Sequence, residues 1–386
     1  MAIAIALVVI VVGSLLFHIL SPWWATPLAS NWNQMDDTMA ITLVITGVFF
    51  VVINLFIAYA LLRFRHRDGH RAAYEPDNKK LEWRLTLFTA VGIIALLAPG
   101  LVVYAKYVDA PHDALVVDVV GKQWQWHFRF PDAQGRLGQT KVRLVGGTNP
   151  FGLDPDDPAA HDNVLVTAGE VHLPLNKPVK LLLRSDDVLH DFYVPQFRGR
   201  MNIVPGMVTT FWFTPTRAGR YEILCAQLCG VGHYNMRGYV VVEEEPAFRA
   251  WLQAQPTFAK TMMRAKTGGA GVAGSATPEG LIEQGKALAQ SKGCVACHSV
   301  DGSPSVGPTW KGLHGKTETM ANGSTELVDD AYLKDFILNP TKRVVKGFAP
   351  IMPKLELSDD EVTALVAYIR SFGGTGQAAP AQKAQK

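Results

Sequence analysis

The chain has 386 residues, of which 48% are hydrophobic and 18% are charged, and its formal net charge is +3. This mild charge gives no indication of nucleic-acid binding, and the length is sufficient for two or three domains. The four cysteines form two close pairs, 225/229 and 294/297. Each pair lies in a candidate metal or haem motif, so none is left for a structural disulfide.

Three apolar runs predict transmembrane helices at about residues 2–20, 39–62 and 85–104. Each is close to the length of about 20 residues that a spanning helix needs. The segment between the second and third runs is rich in Arg and Lys, whereas the segment between the first and second has neither. The positive-inside rule therefore places the basic segment in the cytoplasm and everything after about Val108 outside.

The first apolar run has an alternative interpretation as a cleaved signal peptide. It lacks a positively charged start and a cleavage site close behind it, so we expect it to be retained as part of a membrane region spanning residues 1–108.

Short segments rich in β-branched residues follow the membrane region and are separated by turn signals. The clearest of them are residues 115–120, 177–184, 208–214 and 239–243. Many short strands with regular turn signals are typical of an all-β sandwich or barrel. We assign this domain to residues 109–254.

Soft metal ligands are concentrated in Cys225-Ala-Gln-Leu-Cys229-Gly-Val-Gly-His233-Tyr-Asn-Met236. Two thiols, an imidazole and a thioether suit copper better than magnesium, calcium or ordinary zinc. Two cysteines also argue against a blue-copper site, which uses only one. Two thiolates can instead bridge two copper ions. A further imidazole is available at His190. A zinc site or a redox disulfide is the alternative for this run.

These two segments resemble the dinuclear copper A motif of subunit II of the haem-copper oxidases, a family with a cupredoxin-like Greek-key sandwich. In that family two thiolates bridge the coppers, each of two imidazoles caps one copper, and a methionine is a weak axial ligand. The resemblance implies this set of ligands: His190, Cys225, the backbone carbonyl of Gln227, Cys229, His233 and Met236. The family usually has glutamate at position 227, where its side chain also helps to bind magnesium, and the neutral amide of Gln227 is a poorer ligand for that hard cation.

An aromatic segment, residues 122–130, resembles the Gln-Trp-x-Trp segment that lies near the copper centre in this family. The resemblance implies that electrons from cytochrome c enter at Trp124. From the residues alone, strand alternation places Trp124, Trp126, Phe128 and Phe130 on one face, as half of a sandwich core.

Glu82 lies at the cytoplasmic end of the third apolar run. The family has a glutamate at a similar place, at the mouth of a proton path that continues in subunit I. The alternative for Glu82 is a solvated acid at the membrane interface, paired with Arg84.

A c-type haem attachment motif, Cys294-Val-Ala-Cys297-His298, follows a glycine-rich segment. In such a motif the two thiols form thioethers to the haem and the adjacent imidazole becomes an iron ligand. Met352 is the predicted second axial ligand. Met320 is the alternative, although its neighbours resemble a surface turn.

The same region gives the remaining domain boundaries. We interpret residues 255–277 as a flexible linker, 278–373 as an all-α class I cytochrome c domain and 374–386 as a disordered tail.

Together the segments resemble subunit II of a caa-type cytochrome c oxidase, which carries a fused cytochrome c. The resemblance implies a subunit that is not catalytic alone. It would pass electrons from its own haem c to the copper A centre and on to haem in subunit I, where oxygen is reduced to water. The expected partners are subunits I and III, membrane lipid, and an upstream quinol-oxidising complex or small cytochrome c as donor.

The expected location is a bacterial plasma membrane, with both redox domains on the periplasmic side. Two other functions remain open at this point. One is delivery of electrons to a related nitric oxide-reducing enzyme. The other is a membrane-held copper carrier, which would have no use for a covalent haem or for an aromatic electron path.

Overall fold

The structure, a computed structural model, describes residues 1–21, 26–69, 71, 76–146, 149–167, 169–266, 277–355 and 357–373. The chain divides into two compact units. One is Met1–Ala110 with Gln196–Arg198, and the other is Pro111–Pro195 with Gly199–Lys386. The predicted tail, 374–386, and the glycine-rich part of the predicted linker, 267–276, lie outside the described residues.

The membrane unit contains three long helices, Ala2–Leu20 (α1), Asn33–Arg63 (α2) and Lys79–Val108 (α3). All three are long and apolar enough to cross a membrane, with mean hydropathies of 2.9, 2.6 and 2.3. Helices α2 and α3 extend beyond the predicted apolar runs because helix formation continues into polar residues at their ends. At the start of α3, the side chain of Asn78 accepts a hydrogen bond from the Leu81 amide and so caps the helix.

The second unit begins with ten strands that form a sandwich. Their bounds are Leu115–Lys122 (β1), Gln125–Phe130 (β2), Val164–Val166 (β3), Glu170–Pro174 (β4), Val179–Ser185 (β5), His190–Val194 (β6), Gly199–Ile203 (β7), Thr209–Phe213 (β8), Gly219–Cys225 (β9) and Arg237–Glu243 (β10). One five-stranded sheet has the order β3-β2-β1-β5-β8, and the other has the order β4-β10-β9-β6-β7. Each sheet mixes one parallel pair, β1 with β5 or β4 with β10, with antiparallel neighbours. The predicted all-β cupredoxin-like sandwich is confirmed.

Alternating side chains of these strands fill the space between the sheets. Along β5, for example, Val179, Leu181 and Leu183 are buried while the residues between them are partly exposed. This is the period of two that a strand with one buried face requires. Phe192 and Phe211 pack against each other with ring centroids 6.2 Å apart.

The aromatic segment differs from its sequence prediction at one position. Residues Lys122 and Gln125 are paired across β1 and β2, so Gln123 and Trp124 form the turn of a hairpin. Trp124 is therefore not on the strand face with Trp126, which is fully buried. Strand alternation cannot reveal this, because it does not show where a strand stops.

The predicted linker begins too early. Residues that follow the sandwich form two helices, Glu245–Ala254 (α5) and Phe258–Lys266 (α6), and a short helix, Pro158–His161 (α4), lies earlier in the domain. Phe258 is 1% exposed and belongs to a buried cluster with Phe151 and Leu165. The start of α6 is thus anchored on the β domain because it contributes an aromatic ring to that domain's core.

Within the described residues, the cytochrome c region has three α-helices, Pro278–Ser291 (α7), Asp330–Leu338 (α8) and Asp359–Ser371 (α9). A small ribbon, Thr317–Thr319 (β11) with Thr325–Leu327 (β12), is added to the predicted all-α fold. The predicted cap of the last helix is present, since Ser358 and Glu361 form a reciprocal capping box. Helices α7 and α9 pack around a core that includes Trp310 and Leu365.

Candidate copper and haem sites

Two neighbouring strands bring His190 to the cysteine-rich segment. His190 begins β6 and Cys225 ends β9, and these strands pair antiparallel with Phe192 opposite Cys225. Residues 226–236 form the loop between β9 and β10, which we call the ligand loop. The sheet therefore places an imidazole beside a thiol that lies 35 residues later in the chain.

The side chains predicted to bind copper form one connected group. Cys225 Sγ lies 3.7 Å from Cys229 Sγ and 3.9 Å from His190 Nδ1. Cys229 Sγ lies 3.5 Å from His233 Nδ1 and 3.9 Å from Met236 Sδ. Each thiol thus has its own imidazole, and the thioether lies beside the second thiol.

The donor set and its burial fit a soft metal. His190, Cys225 and Cys229 are buried, and their ligand atoms all lie within 4.8 Å of one another. The carbonyl oxygen of Gln227 is 3.2 Å from Cys225 Sγ, and Met236 is fully buried. The two sulfur atoms are much farther apart than the roughly 2.05 Å of a disulfide. Two thiols with imidazole, thioether and carbonyl donors match the ligand preferences of copper.

Asp187 supports this group and was not predicted as a site residue. Its Oδ1 lies 2.8 Å from His190 Nε2, and its Oδ2 accepts a hydrogen bond of 2.7 Å from the Gln123 amide. A carboxylate on the far nitrogen fixes the orientation of a metal-binding imidazole, leaving Nδ1 towards the thiols. Burial opposes ionisation of Asp187, but the bonds from His190 and from the amides lower its pKa overall. Its position three residues before His190 was the available sequence signal.

The two thiols share one ionisation. The contact with Cys229, against the effect of burial and with help from His190, lowers the pKa of Cys225. The same contact with Cys225 raises the pKa of Cys229. Burial opposes protonation of His190, but its bonds with Asp187 and Cys225 raise its pKa on balance. The lowered pKa of Cys225 favours the thiolate, which is the form of cysteine that binds metals.

Trp124 packs directly on the ligand loop. Its indole N–H donates a hydrogen bond of 3.2 Å to the carbonyl of Cys229, which also accepts one of 2.9 Å from the side-chain amide of Gln123. A Cβ atom at Gly232 would lie 2.3 Å from Trp124 Cδ2. Glycine at this position is what allows the indole ring to lie against the loop.

The haem attachment motif lines a cavity in the cytochrome c region, with Cys294, Cys297 and His298 in its wall. His298 Nδ1 lies 2.8 Å from the Pro308 carbonyl, which can only accept, so Nδ1 carries the proton and Nε2 is left for a metal. Burial lowers the pKa of His298 and keeps the ring neutral. The ring stacks on Trp310 with centroids 5.4 Å apart.

A glycine makes room for the imidazole ring of His298. A Cβ atom at Gly307 would lie 2.6 Å from His298 Cε1, so a larger residue would displace the ring. Cys294 and Cys297 are free thiols beside a largely apolar cavity. These features fit a covalently attached haem.

The two candidate axial methionines lie in different places. Met352 lines the same cavity as His298. Met320 is 2% exposed and belongs to the hydrophobic core, although the residues that follow it, 321–324, form an exposed turn as predicted. Gly323 donates its amide to the Met320 carbonyl and closes the turn, and the Met320 amide donates to the Ser324 carbonyl. The Met320 side chain points inward to the core because its thioether is apolar.

Glu82 lies in the first turn of α3 with an exposed side chain. Glu82 is remote in sequence from the ligand loop. Its assignment to a proton path stays a prediction.

Two family models match the chain. Residues 115–244 match "Cytochrome C oxidase subunit II, periplasmic domain", and residues 282–373 match "Cytochrome c". The two matches coincide with the sandwich and with the helical region that carries the haem motif.

Similar proteins carry related names. An alternative cytochrome c oxidase subunit 2 of Bradyrhizobium diazoefficiens is 55% identical over 67% of this chain and 94% of that protein. A cytochrome c oxidase subunit 2 of Cereibacter sphaeroides is 28% identical over 59% of this chain and 77% of that protein. Another, of Alkalihalophilus pseudofirmus, is 24% identical over 87% of this chain and 86% of that protein.

The three apolar helices and the match to a periplasmic domain describe a membrane-anchored protein with a periplasmic part. The first of these relatives is matched over nearly its whole length at high identity. The chain belongs to the cytochrome c oxidase subunit II family, as a member with a C-terminal cytochrome c domain of the kind found in caa-type oxidases.

Proposed function

We propose that this chain accepts electrons at its cytochrome c domain, passes them to its copper domain and delivers them to haem in subunit I, where oxygen is reduced to water. One observation carries the proposal. Trp124 lines the cavity that holds the haem attachment motif, and its indole N–H donates to the carbonyl of Cys229 in the ligand loop. A single side chain thus contacts both candidate redox sites.

When bound, a haem c and a pair of copper ions supply one-electron redox chemistry. In the copper domain, the residues that would hold the metal pair are Cys225 and Cys229 through their sulfur atoms, His190 and His233 through Nδ1, Met236, and Gln227 through its carbonyl. Asp187 holds the His190 ring in the orientation that exposes Nδ1 to the thiols. Burial among neighbouring strands keeps His190, Cys225 and Cys229 close together.

In the cytochrome c domain, Cys294 and Cys297 would form thioethers and His298 would bind iron through Nε2. Met352, which lines the same cavity, would supply the second protein ligand of the iron. Methionine and histidine together raise the reduction potential of a haem, which suits a domain that accepts electrons from a donor above it in the respiratory chain.

The partners we propose are oxidase subunits I and III in the membrane, and an upstream quinol-oxidising complex or a small cytochrome c as donor. The proposed location is a bacterial plasma membrane with both redox domains in the periplasm. A tether between the domains replaces a bimolecular encounter with an effective concentration in the mM range, as for short flexible linkers. We also propose that Glu82 lies at the mouth of a proton path.

The test is stopped-flow reduction of the purified oxidase complex, following haem c in the visible range and the copper pair in the near infrared. We expect haem c to be reduced first and the copper pair next, with two copper ions and one haem c per chain. Trp124→Leu should slow the second phase and leave both metal contents unchanged. Trp83→Leu, an exposed tryptophan of α3, is the control.

A chain whose copper is reduced at the same rate with and without Trp124 would contradict the path through this residue. Delivery to a nitric oxide-reducing enzyme gains no support from the relatives, which are named as cytochrome c oxidase subunits. Oxygen consumption by the co-purified complex, with no consumption of nitric oxide, is the expected discrimination.

A further inference from the structure

The ligand loop contacts the haem attachment loop through Asn235, a residue that is not one of the predicted copper ligands. Asn235 lies between His233 and Met236, and its side-chain amide donates a hydrogen bond to the carbonyl of Ala296. Ala296 lies between the two cysteines of the haem motif. One neutral amide therefore joins the two loops that carry the candidate redox ligands.

A second contact lies beside the first. Gln125, the first residue of β2, donates through Nε2 to the carbonyl of Gln290 at a distance of 3.1 Å. Gly293, with φ of 75°, faces the same glutamine, and a Cβ atom there would lie 2.4 Å from Gln125 Nε2. Close approach at this point thus depends on a glycine just before Cys294.

Two charged groups next to these contacts are paired within their own domains. Lys292 lies 3.4 Å from Glu361 of α9, and Arg237 is hydrogen-bonded to Glu222 of β9. The contact itself is made by side-chain amides and backbone carbonyls. Neutral pairs of this kind are individually weak, which suits a contact that forms and opens repeatedly.

We propose that Asn235 and Gln125 are positioning residues that dock the haem attachment loop on the ligand loop, and that this docked state is the one in which electrons cross between the domains. The proposal rests on the proposed function and adds the surface through which it works. Because the docking hydrogen bonds join neutral groups, we expect docking to depend little on ionic strength, unlike the steered encounter of a basic soluble cytochrome with an acidic surface.

The test uses the full-length subunit in its complex. Hydrogen exchange of residues 293–298 and 230–236 is measured for wild type, Asn235→Ala and Gln125→Ala. Removing one neutral hydrogen bond should shift the docked population by roughly two- to tenfold, so exchange in both loops should speed up by that factor. The controls, Asn322→Ala and Gln253→Ala, remove the same amides from exposed positions and should leave exchange unchanged.

The same variants are examined by stopped flow at low and high salt. Haem-to-copper transfer should slow in both docking variants and change less than about twofold with salt in wild type. Visible and near-infrared spectra verify that both centres are intact, and Gln125→Ala serves as the readout if Asn235→Ala alters the neighbouring copper ligands.

The outcomes separate the two proposals. Unchanged exchange and unchanged transfer in Gln125→Ala and Asn235→Ala, with intact centres, would overturn docking through these residues while the proposed function stands. Reduction of haem c that is never followed by reduction of copper in wild type would overturn the proposed function, whatever the exchange data. A strong loss of transfer at high salt would also overturn the neutral docking surface.

Discussion

The ligand loop and the haem attachment loop solve the problem of holding a redox centre in opposite ways. The ligand loop and the two strands beside it bring together donors that are distant in the chain, most of them buried, and Asp187 orients the ring of His190. The haem loop keeps two thiols and an imidazole within five consecutive residues, beside a cavity whose walls come from the rest of the domain.

The two sites differ in what fixes the positions of their ligands. A metal held by several weakly directional ligands needs a rigid scaffold, because errors in each ligand position add up. A group attached through covalent bonds needs spacing along the chain, and the surrounding fold then supplies the apolar pocket and the last ligand. Substitutions should therefore affect the two regions separately.

The largest expected effect is loss of one centre with retention of the other. Cys229→Ser removes a thiol shared by the whole donor group, so we expect loss of bound copper and of oxidase turnover while the haem c spectrum persists. Cys294→Ser is the reciprocal variant and should weaken haem attachment while copper remains. Metal analysis and visible spectra of the purified complex measure both. Loss of both centres in either variant would show that the regions are not independent.

Substitution of each of the two methionines tests which of them binds the haem iron. Met352→Leu should remove an axial ligand and lower the haem reduction potential, because methionine ligation raises it. Met320→Leu is a core substitution of similar volume and should leave the potential unchanged, with only a small loss of stability. A redox titration at the haem band measures both variants. A large drop in the haem reduction potential for Met320→Leu alone would instead identify Met320 as the iron ligand.

The free energy of unfolding of the β domain should depend on pH through His127. Burial, with a smaller contribution from Lys122, lowers the pKa of this histidine to about 4, and no hydrogen-bond partner is found for its Nδ1 among the described residues. The unfolded chain takes up a proton near pH 6.5, but the folded chain does so only near pH 4. The sandwich should therefore lose up to about 3 kcal/mol as pH falls from 6.5 to 4.

His127→Phe should flatten this slope, because phenylalanine takes up no proton. Thermal unfolding of the purified chain, followed by near-ultraviolet circular dichroism from pH 4 to pH 7, measures it. His112→Phe, at an exposed position outside the sandwich core, should keep the wild-type slope. An unchanged slope in His127→Phe would assign the acid sensitivity to other groups.

The smallest expected effect concerns orientation of a ligand. Asp187→Asn weakens the bond that holds the His190 ring, and we expect roughly 10- to 100-fold lower copper affinity, as for other supporting residues of metal sites. Asp186→Asn is the matched control, since burial raises the pKa of this neighbouring carboxyl and the carboxylate on His190 is that of Asp187. Competition with a copper chelator gives both affinities. Equal affinities would remove Asp187 from the site.

The membrane helices, the β sandwich, the cytochrome c region and both metal-binding motifs were predictable, because each depends on local patterns. Apolar runs of sufficient length, β-branched segments between turns, and fixed spacings such as that of Cys294 and Cys297 can be read without knowing what packs on them. The pairing of His190 with Cys225 came only through the family resemblance, because strand pairing joins residues that are distant in the chain.

Residue order therefore determined which chemical groups this protein has and which short segments present them together. Tertiary structure decided what those groups face: that Trp124 leaves its strand to lie on the ligand loop, that Phe258 anchors α6, and that Met320 is buried away from the haem cavity. It also brought Asn235 to Ala296. The reason is that close packing between segments depends on shape and volume at contacts that no single segment contains.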